Sequence, residues 1–287
     1  MSILHSKRAK SYAFLLLNAI IWGAASPIIK YSLNFTDIYS FLFWRYLLAY
    51  LIFLTFYIKT RPAINLKIVL LAILGTPLTL IPLYIAITIT GSLTNSILVA
   101  TWPLLTIIGG YLFLEEKIQK NEKIGLSIAL LGSAIIIIGP SLFNGQMSLI
   151  GGLLVMLSNL IWTIFLLISK KLKIDSTAMS MTSYLISIPI FFFLSTLNTR
   201  YLLLDTGALP GIVYMAVLGS IVAFWTYLKG QEGIEASEAA VFTYLQPIFA
   251  FPLSFFWLKE PLTFPLILGS LIIALGVFTS ESRKQLI

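Results

Sequence analysis

Several passages of this chain occur twice, and any fold open to the first copy must be open to the second as well. LAILGT at Leu71–Thr76 returns as MAVLGS at Met215–Ser220. Pro103, Glu116 and Gly125 return as Pro247, Glu260 and Gly269, all at an offset of 144 residues. Upstream, NAIIW ending at Trp22 returns as SNLIW ending at Trp162, and Lys30 returns as Lys170, both at an offset of 140. The chain therefore divides into residues 1–144 and 145–287, two versions of one unit. In an apolar chain, such repeats point to a site at the interface between them.

What the unit is made of follows from the runs between these landmarks. Only 10% of the 287 residues are charged and the mean hydropathy is +0.97, where a soluble domain carries about a quarter charged residues. Ten runs of roughly 20 mostly apolar residues, each long enough to cross a bilayer as a helix, fall at about 11–31, 38–58, 67–87, 93–113, 122–140, 150–169, 177–197, 210–229, 237–257 and 262–280. None shows the period-two alternation of a membrane barrel strand. The first run is too long for the apolar core of a secretory signal, and no small-residue cleavage site follows it. The expectation is an all-α polytopic membrane protein with ten transmembrane helices and the lipid bilayer as its permanent partner. Cysteine is absent, so there is no disulfide and no thiolate chemistry.

The net charge of +8 could suggest a nucleic-acid partner, but its distribution argues against one. Fifteen lysines and arginines lie in the two tails and the even-numbered connections, from Lys7, Arg8 and Lys10 to Arg283 and Lys284; the opposite side holds three, Lys30, Arg200 and Lys259. That asymmetry is the positive-inside pattern for ten helices with both termini cytoplasmic. Basicity here reports topology, and no nucleic-acid partner is expected. Five helices per copy is an odd number, so the second copy must start on the opposite side from the first. The two five-helix repeats are then inverted, related by an axis in the membrane plane, an arrangement that lends itself to alternating access.

Four motifs add to this pattern: WGAASPIIKYSL (Trp22–Leu33), FWRYLLA (Phe43–Ala49), TWPLLTIIGGYLFLEEKI (Thr101–Ile118) and LQPIFAFPLSFFWLKEPL (Leu245–Leu262). In order, spacing and duplication the chain resembles the EamA family of the drug/metabolite transporter superfamily. The resemblance implies ten helices in two inverted halves and carriage of amino acids or other small metabolites, often outward. It also implies a central cavity lined mainly by helices 1, 3, 4, 6, 8 and 9, with helix 2 outside that lining. Two departures stand out. Ser183 occupies the place of a second Arg45, at an offset of 138, and the eighth connection, KGQEGIEASE, is more acidic than the family's turn there.

Polar and aromatic residues inside spans must find a partner or face a cavity. Asn18, Trp22 and Ser26 share one face of helix 1 at i, i+4 and i+8, and Ser158, Asn159 and Trp162 repeat the arrangement on helix 6. Asn95 and Trp102, seven apart on helix 4, are nearly aligned; their partners in the second copy are Ala239 and Gln246. Tyr84 on helix 3, Tyr214 and Trp225 on helix 8, and Thr243 on helix 9 complete the substrate-binding candidates. Against them stand interhelical hydrogen bonding for the Asn, Ser and Thr side chains and interfacial anchoring for aromatics near helix ends, the reading given to Tyr31 and Tyr227. Trp22, Trp102 and Trp162 lie mid-span, where anchoring does not explain them. Arg45 is the charge well inside a span. It can hold a substrate carboxylate bidentately or tie up backbone carbonyls. Since the resemblance sets helix 2 apart from the cavity, the structural role is favoured. Pro103 and Pro247 suggest the same bend in both halves, a place for a gating hinge.

All eleven acidic residues fall in loops or at helix ends, and the one histidine is His5 in the N-terminal tail. Neither a catalytic constellation nor a metal or cofactor site can be assembled, which sets the chain apart from membrane enzymes. The same absence predicts facilitated diffusion or exchange rather than carboxylate-based proton antiport. The expected partner is a small-molecule substrate, with amino acids, including aromatic ones, the leading class. Nucleoside-like metabolites, or hydrophobic drugs exported with cation coupling, are the alternative. The expected setting is the bacterial inner membrane, as a monomer or weak dimer.

Overall fold

The computed structural model describes residues 2–60, 64–115, 119–144, 147–197, 202, 204–232, 234, 239 and 242–281. Glu116, Glu238, Arg200, Arg283 and Lys284 lie outside them. Among the described residues every regular element is helical: α1 (Ser2–Ser32), α2 (Ile38–Thr60), α3 (Leu66–Thr90), α4 (Ser92–Leu114), α5 (Lys120–Asn144), α6 (Met147–Lys171), α7 (Ser176–Thr196), α8 (Leu209–Gln231), α9 (residues 242–257) and α10 (Phe264–Glu281). Seven of these, α1 to α4 and α6 to α8, are long and apolar enough to cross a membrane. The apolar parts of α5 and α10 are shorter, Lys123–Gly139 and Phe264–Thr279. Large apolar side chains such as Leu131, Phe193, Phe256 and Phe278 stand exposed around the bundle. Patches of this extent would aggregate in water and are at home in lipid. This is an integral membrane protein.

The single helix expected over 237–257 is not what forms. Residues 242–245 make a 3-10 turn, Gln246–Pro252 an α-helix and Leu253–Trp257 a π-helix. Pro247 and Pro252 each lack the N–H that would continue an i→i−4 ladder, and the helix type changes around them. Helix α4 behaves alike. It stops at Val99 and restarts at Trp102, with Pro103 in the first turn of the new segment, where a missing N–H costs nothing. The repeated LAILGT and MAVLGS phrases also share a backbone feature. Helix α3 becomes a π-helix over Leu74–Leu78, and α8 over Met215–Phe224.

Matched residues make matched contacts between the copies. Asp37 accepts the backbone N–H of Ser40 at 3.0 Å to start α2, and Asp175, 138 residues on, accepts that of Ala178 at 2.8 Å to start α7. Such caps contribute about 1 kcal/mol each. Asn18 Nδ2 on α1 donates to the Ala223 carbonyl on α8 at 2.8 Å, while Ser158 Oγ on α6 donates to the Thr79 carbonyl on α3 at 2.9 Å. Donors 140 apart thus reach acceptors 144 apart, each in the other copy. The packing follows the same rule: α1 against α8 is mirrored by α6 against α3, and α1 against α9 by α6 against α4. Helices α5 and α10 approach each other most closely at glycines. A Cβ on Gly132 would lie 2.7 Å from the Gly269 carbonyl oxygen, and one on Gly276 would lie 2.6 Å from that of Gly125. Gly125 and Gly132 of α5 therefore pack against Gly276 and Gly269 of α10, their counterparts at the 144-residue offset.

Candidate functional site

Between the copies lies a cavity of about 120 Å³. The first copy supplies α1 through Trp22 and Ser26, α2 through Arg45 and Tyr46, α3 from Gly75 to Ile87, and α4 through Ser96 and Trp102. The second supplies Ser158, Asn159 and Trp162 on α6, Met215 and Phe224 on α8, and Gln246 on α9. The substrate-binding candidates Trp22, Tyr84, Trp102, Asn159, Trp162 and Gln246 therefore meet here, with Ser26 and Ser158 beside them.

The three tryptophans converge on Tyr227. Trp22 and Trp162 meet edge to face with ring centroids 5.6 Å apart. Behind them Tyr227 stacks on Trp22 at 5.6 Å and 22°, meets Trp102 edge-on at 5.7 Å, and lies 6.2 Å from Trp162. Tyr227 is buried, so it is no interfacial anchor; it backs the aromatic wall. Aromatic pairs of this geometry are worth about 0.5–1.5 kcal/mol each beyond the area they bury. The Trp22 indole N–H donates to the Gly219 carbonyl at 3.0 Å, in the π-helical part of α8. Asn159 performs a similar service at the interruption of α4: its Nδ2 donates to the Leu98 carbonyl at 2.9 Å and to Thr101 Oγ1 at 3.2 Å.

Arg45 is a buried part of the cavity wall, which corrects the placement of helix 2 outside the lining. Its Nε donates to Ser220 Oγ at 2.9 Å and its Nη1 to the Tyr84 hydroxyl at 2.7 Å, and the guanidinium lies 4.9 Å from the centre of the Tyr46 ring. Tyr184 completes the cluster by donating to the Ser220 carbonyl at 2.7 Å. These partners are neutral. The ion pairs among the described residues, Lys30–Glu260 and Lys229–Glu232, are elsewhere. The side chain ties α2 to α3 and α8, so the backbone-carbonyl role considered for it gives way to side-chain partners.

The other five candidates lie off the cavity. Asn18 bonds Ala223 as described, and the Tyr214 hydroxyl donates to the Ile21 carbonyl at 2.8 Å. Both join α1 to α8. Asn95 donates to Ser26 Oγ at 3.0 Å; the interruption of α4 between Asn95 and Trp102 breaks the phase that aligned them. Trp225 packs edge-on against Phe14 at 5.8 Å, away from the cavity. Ten π-helical residues precede it, and their wider turn shifts the face that a 3.6-residue period assigns. Thr243 is buried outside the lining.

One turn beyond Ser96 the two copies are tied together. The Glu260 carboxylate accepts the backbone N–H groups of Ser92 and Leu93 at 2.7 and 2.8 Å, capping the second part of the bundle onto the start of α4, and Lys30 Nζ lies 3.5 Å away. Gly91 makes the approach possible with a φ of +88°, a conformation natural only to glycine. The Ser92 and Ser254 hydroxyls share a hydrogen bond of 2.9 Å beside it.

The architecture can be compared with known proteins. A family model described as the EamA-like transporter family matches the chain twice, over residues 9–138 and 149–280. The chain belongs to this family. An uncharacterized transporter of Archaeoglobus fulgidus is 28% identical over 287 residues, spanning 96% of this chain and 100% of the relative. The uncharacterized transporter YetK of Bacillus subtilis is 26% identical over 99% of this chain and 90% of its own. A protein of known crystal structure shares the fold with a TM-score of 0.70 at 13% identity, over 98% of this chain and 99% of its own. The EamA-like chain is thus a transporter, and its cavity is the natural candidate for the cargo site.

Proposed function

We propose that this transporter is a secondary carrier that moves small amphipathic metabolites, amino acids and especially aromatic ones, by alternating access. The observation that carries the reading is the aromatic-walled cavity built from helices of both copies. A site at a repeat interface opens to either side as the halves rock. The matched hydrogen bonds of Asn18 and Ser158, the mirrored helix packing and the glycine contact of α5 and α10 support ten membrane-spanning helices in two inverted halves. The charge asymmetry supports cytoplasmic termini, and a bacterial inner membrane is the setting in which that count has its meaning. The restarts at Pro103 and Pro247 are the proposed hinges.

The cavity volume is of the order of the ~150 Å³ engineered cavity that accepts benzene, which suits one ring or a branched aliphatic chain better than a nucleoside. Among the described residues no carboxylate or histidine lines it, which disfavours both cationic drugs and a carboxylate proton relay. We therefore propose export by exchange or facilitated diffusion. In proteoliposomes, counterflow of labelled phenylalanine or leucine is expected to saturate and to weaken in Trp162→Ala. An imposed pH gradient that drives uphill flux would refute the coupling, and linear, non-saturating flux would refute the carrier.

A further inference from the structure

We infer that Arg45 is the anchor for a substrate carboxylate, so that the cargo class is compact apolar monocarboxylates in which an amino group is tolerated but not required. The inference rests on the carrier reading above. A guanidinium offers five N–H donors, fixed in a planar fork that matches a carboxylate. The bonds from Nε to Ser220 and from Nη1 to Tyr84 leave donor capacity on a side chain that forms part of the cavity wall. A buried cation is costly unless an opposite charge meets it, and among the described residues no carboxylate does so. A ligand anion can supply what the chain omits.

The rest of the lining discriminates in the same direction. Gln246 lines the cavity as well, and its Nε2 is buried with no hydrogen-bond partner among the described residues. It is a second donor awaiting an acceptor. The hydroxyls of Thr79, Ser96 and Ser158 are already spent on backbone carbonyls, those of Leu74, Ser92 and Thr79. Among the described residues, an ammonium group entering this site meets no carboxylate, whereas a carboxylate meets the fixed positive charge of Arg45. The indole walls take the apolar body.

The test uses matched ligands on the intact protein, so that it does not depend on a variant folding. Phenylalanine, 3-phenylpropanoate, phenylalaninamide and phenethylamine, with the corresponding leucine series, compete in counterflow and are scored for thermal protection of the purified protein. Both carboxylates of a series are expected to compete within about tenfold of each other, and the amide and amine to be weaker by roughly 30-fold or more, the scale of an unpaired buried charge. Arg45→Lys is expected to keep the preference with lower affinity, and Arg45→Gln to lose the preference. Equal competition by acid and amide, a preference that survives in Arg45→Gln, or no binding by any carboxylate would overturn the inference. Saturable flux that is sensitive to Trp162→Ala but blind to the carboxylate would overturn the anchor and leave the carrier standing.

Discussion

Replacing Glu260 by glutamine probes the tie at one end of the cavity with little change of shape. The carboxylate now accepts two backbone N–H groups at 2.7 and 2.8 Å from the first turn of α4. An amide keeps one acceptor oxygen and turns its own NH₂ toward the second donor. One charge-assisted bond of about 1.5–3 kcal/mol is lost, and the other falls to the roughly 1 kcal/mol of a neutral pair. Removing a negative charge from a helix N-terminus costs about 0.3–1 kcal/mol more. The Lys30 contact, 3.5 Å long and made by a side chain 35% exposed, adds at most about 1 kcal/mol. The total, about 2–7 kcal/mol, corresponds to a fall in apparent melting temperature of roughly 5–20 °C for a chain of this size. Heating the detergent-purified protein with Glu260→Gln and Lys30→Ala side by side separates the contributions, since Lys30→Ala should cost no more than about 2 °C on the same scale. A Glu260→Gln protein that melts with the wild type, or a Lys30→Ala protein that suffers equally, would show that the backbone cap is not what holds this end.

Other contacts give sharper contrasts. Asn18→Ala and Ser158→Ala should each destabilise by about 0.6–2 kcal/mol, and with no shared partner the double variant should sum the two in thermal melts. Gly276→Ala places a Cβ 2.6 Å from the Gly125 carbonyl oxygen and 2.7 Å from the Ala129 backbone nitrogen; because neither is a flexible side chain, helices α5 and α10 must part, at about 1–3 kcal/mol, seen as a lower melting temperature. Trp225→Ala should leave substrate protection against heat unchanged, whereas Trp162→Ala should diminish it. Equal losses from the two would put the binding wall on the wrong face of α8.

The repeat was readable because its offsets of 144, 140 and 138 track structure: residues so related cap the same helix ends and reach the same carbonyls in exchanged copies. The mid-span tryptophans were readable because nothing at an interface could account for them. What the sequence concealed arose where the helical period itself changes. Tyr227 and Trp225 exchanged roles because the π-helical stretch ahead of them advances the chain by a different angle per residue, and Asn95 parted from Trp102 because α4 restarts between them. Arg45 was hidden for another reason. Its neighbours Tyr84, Ser220 and Tyr46 come from three helices, and only assembly shows that its wall is the cavity's.

Symmetry carries a consequence for that charge. Tyr46 has its counterpart in Tyr184 at the offset of 138, the two rings lie 6.0 Å apart, and the positions just before them in the chain are Arg45 and Ser183. A faithful duplicate would have added a second buried guanidinium to the same part of the bundle, and two unit charges within about 10 Å repel by more than about 1.5 kcal/mol even at an effective dielectric constant of 20. An odd charge can stand near an axis of a doubled chain only if one copy gives it up. Divergence between the halves is therefore what leaves the proposed anchor a single charge. Restoring the lost copy as Ser183→Arg would convert it to a divalent one.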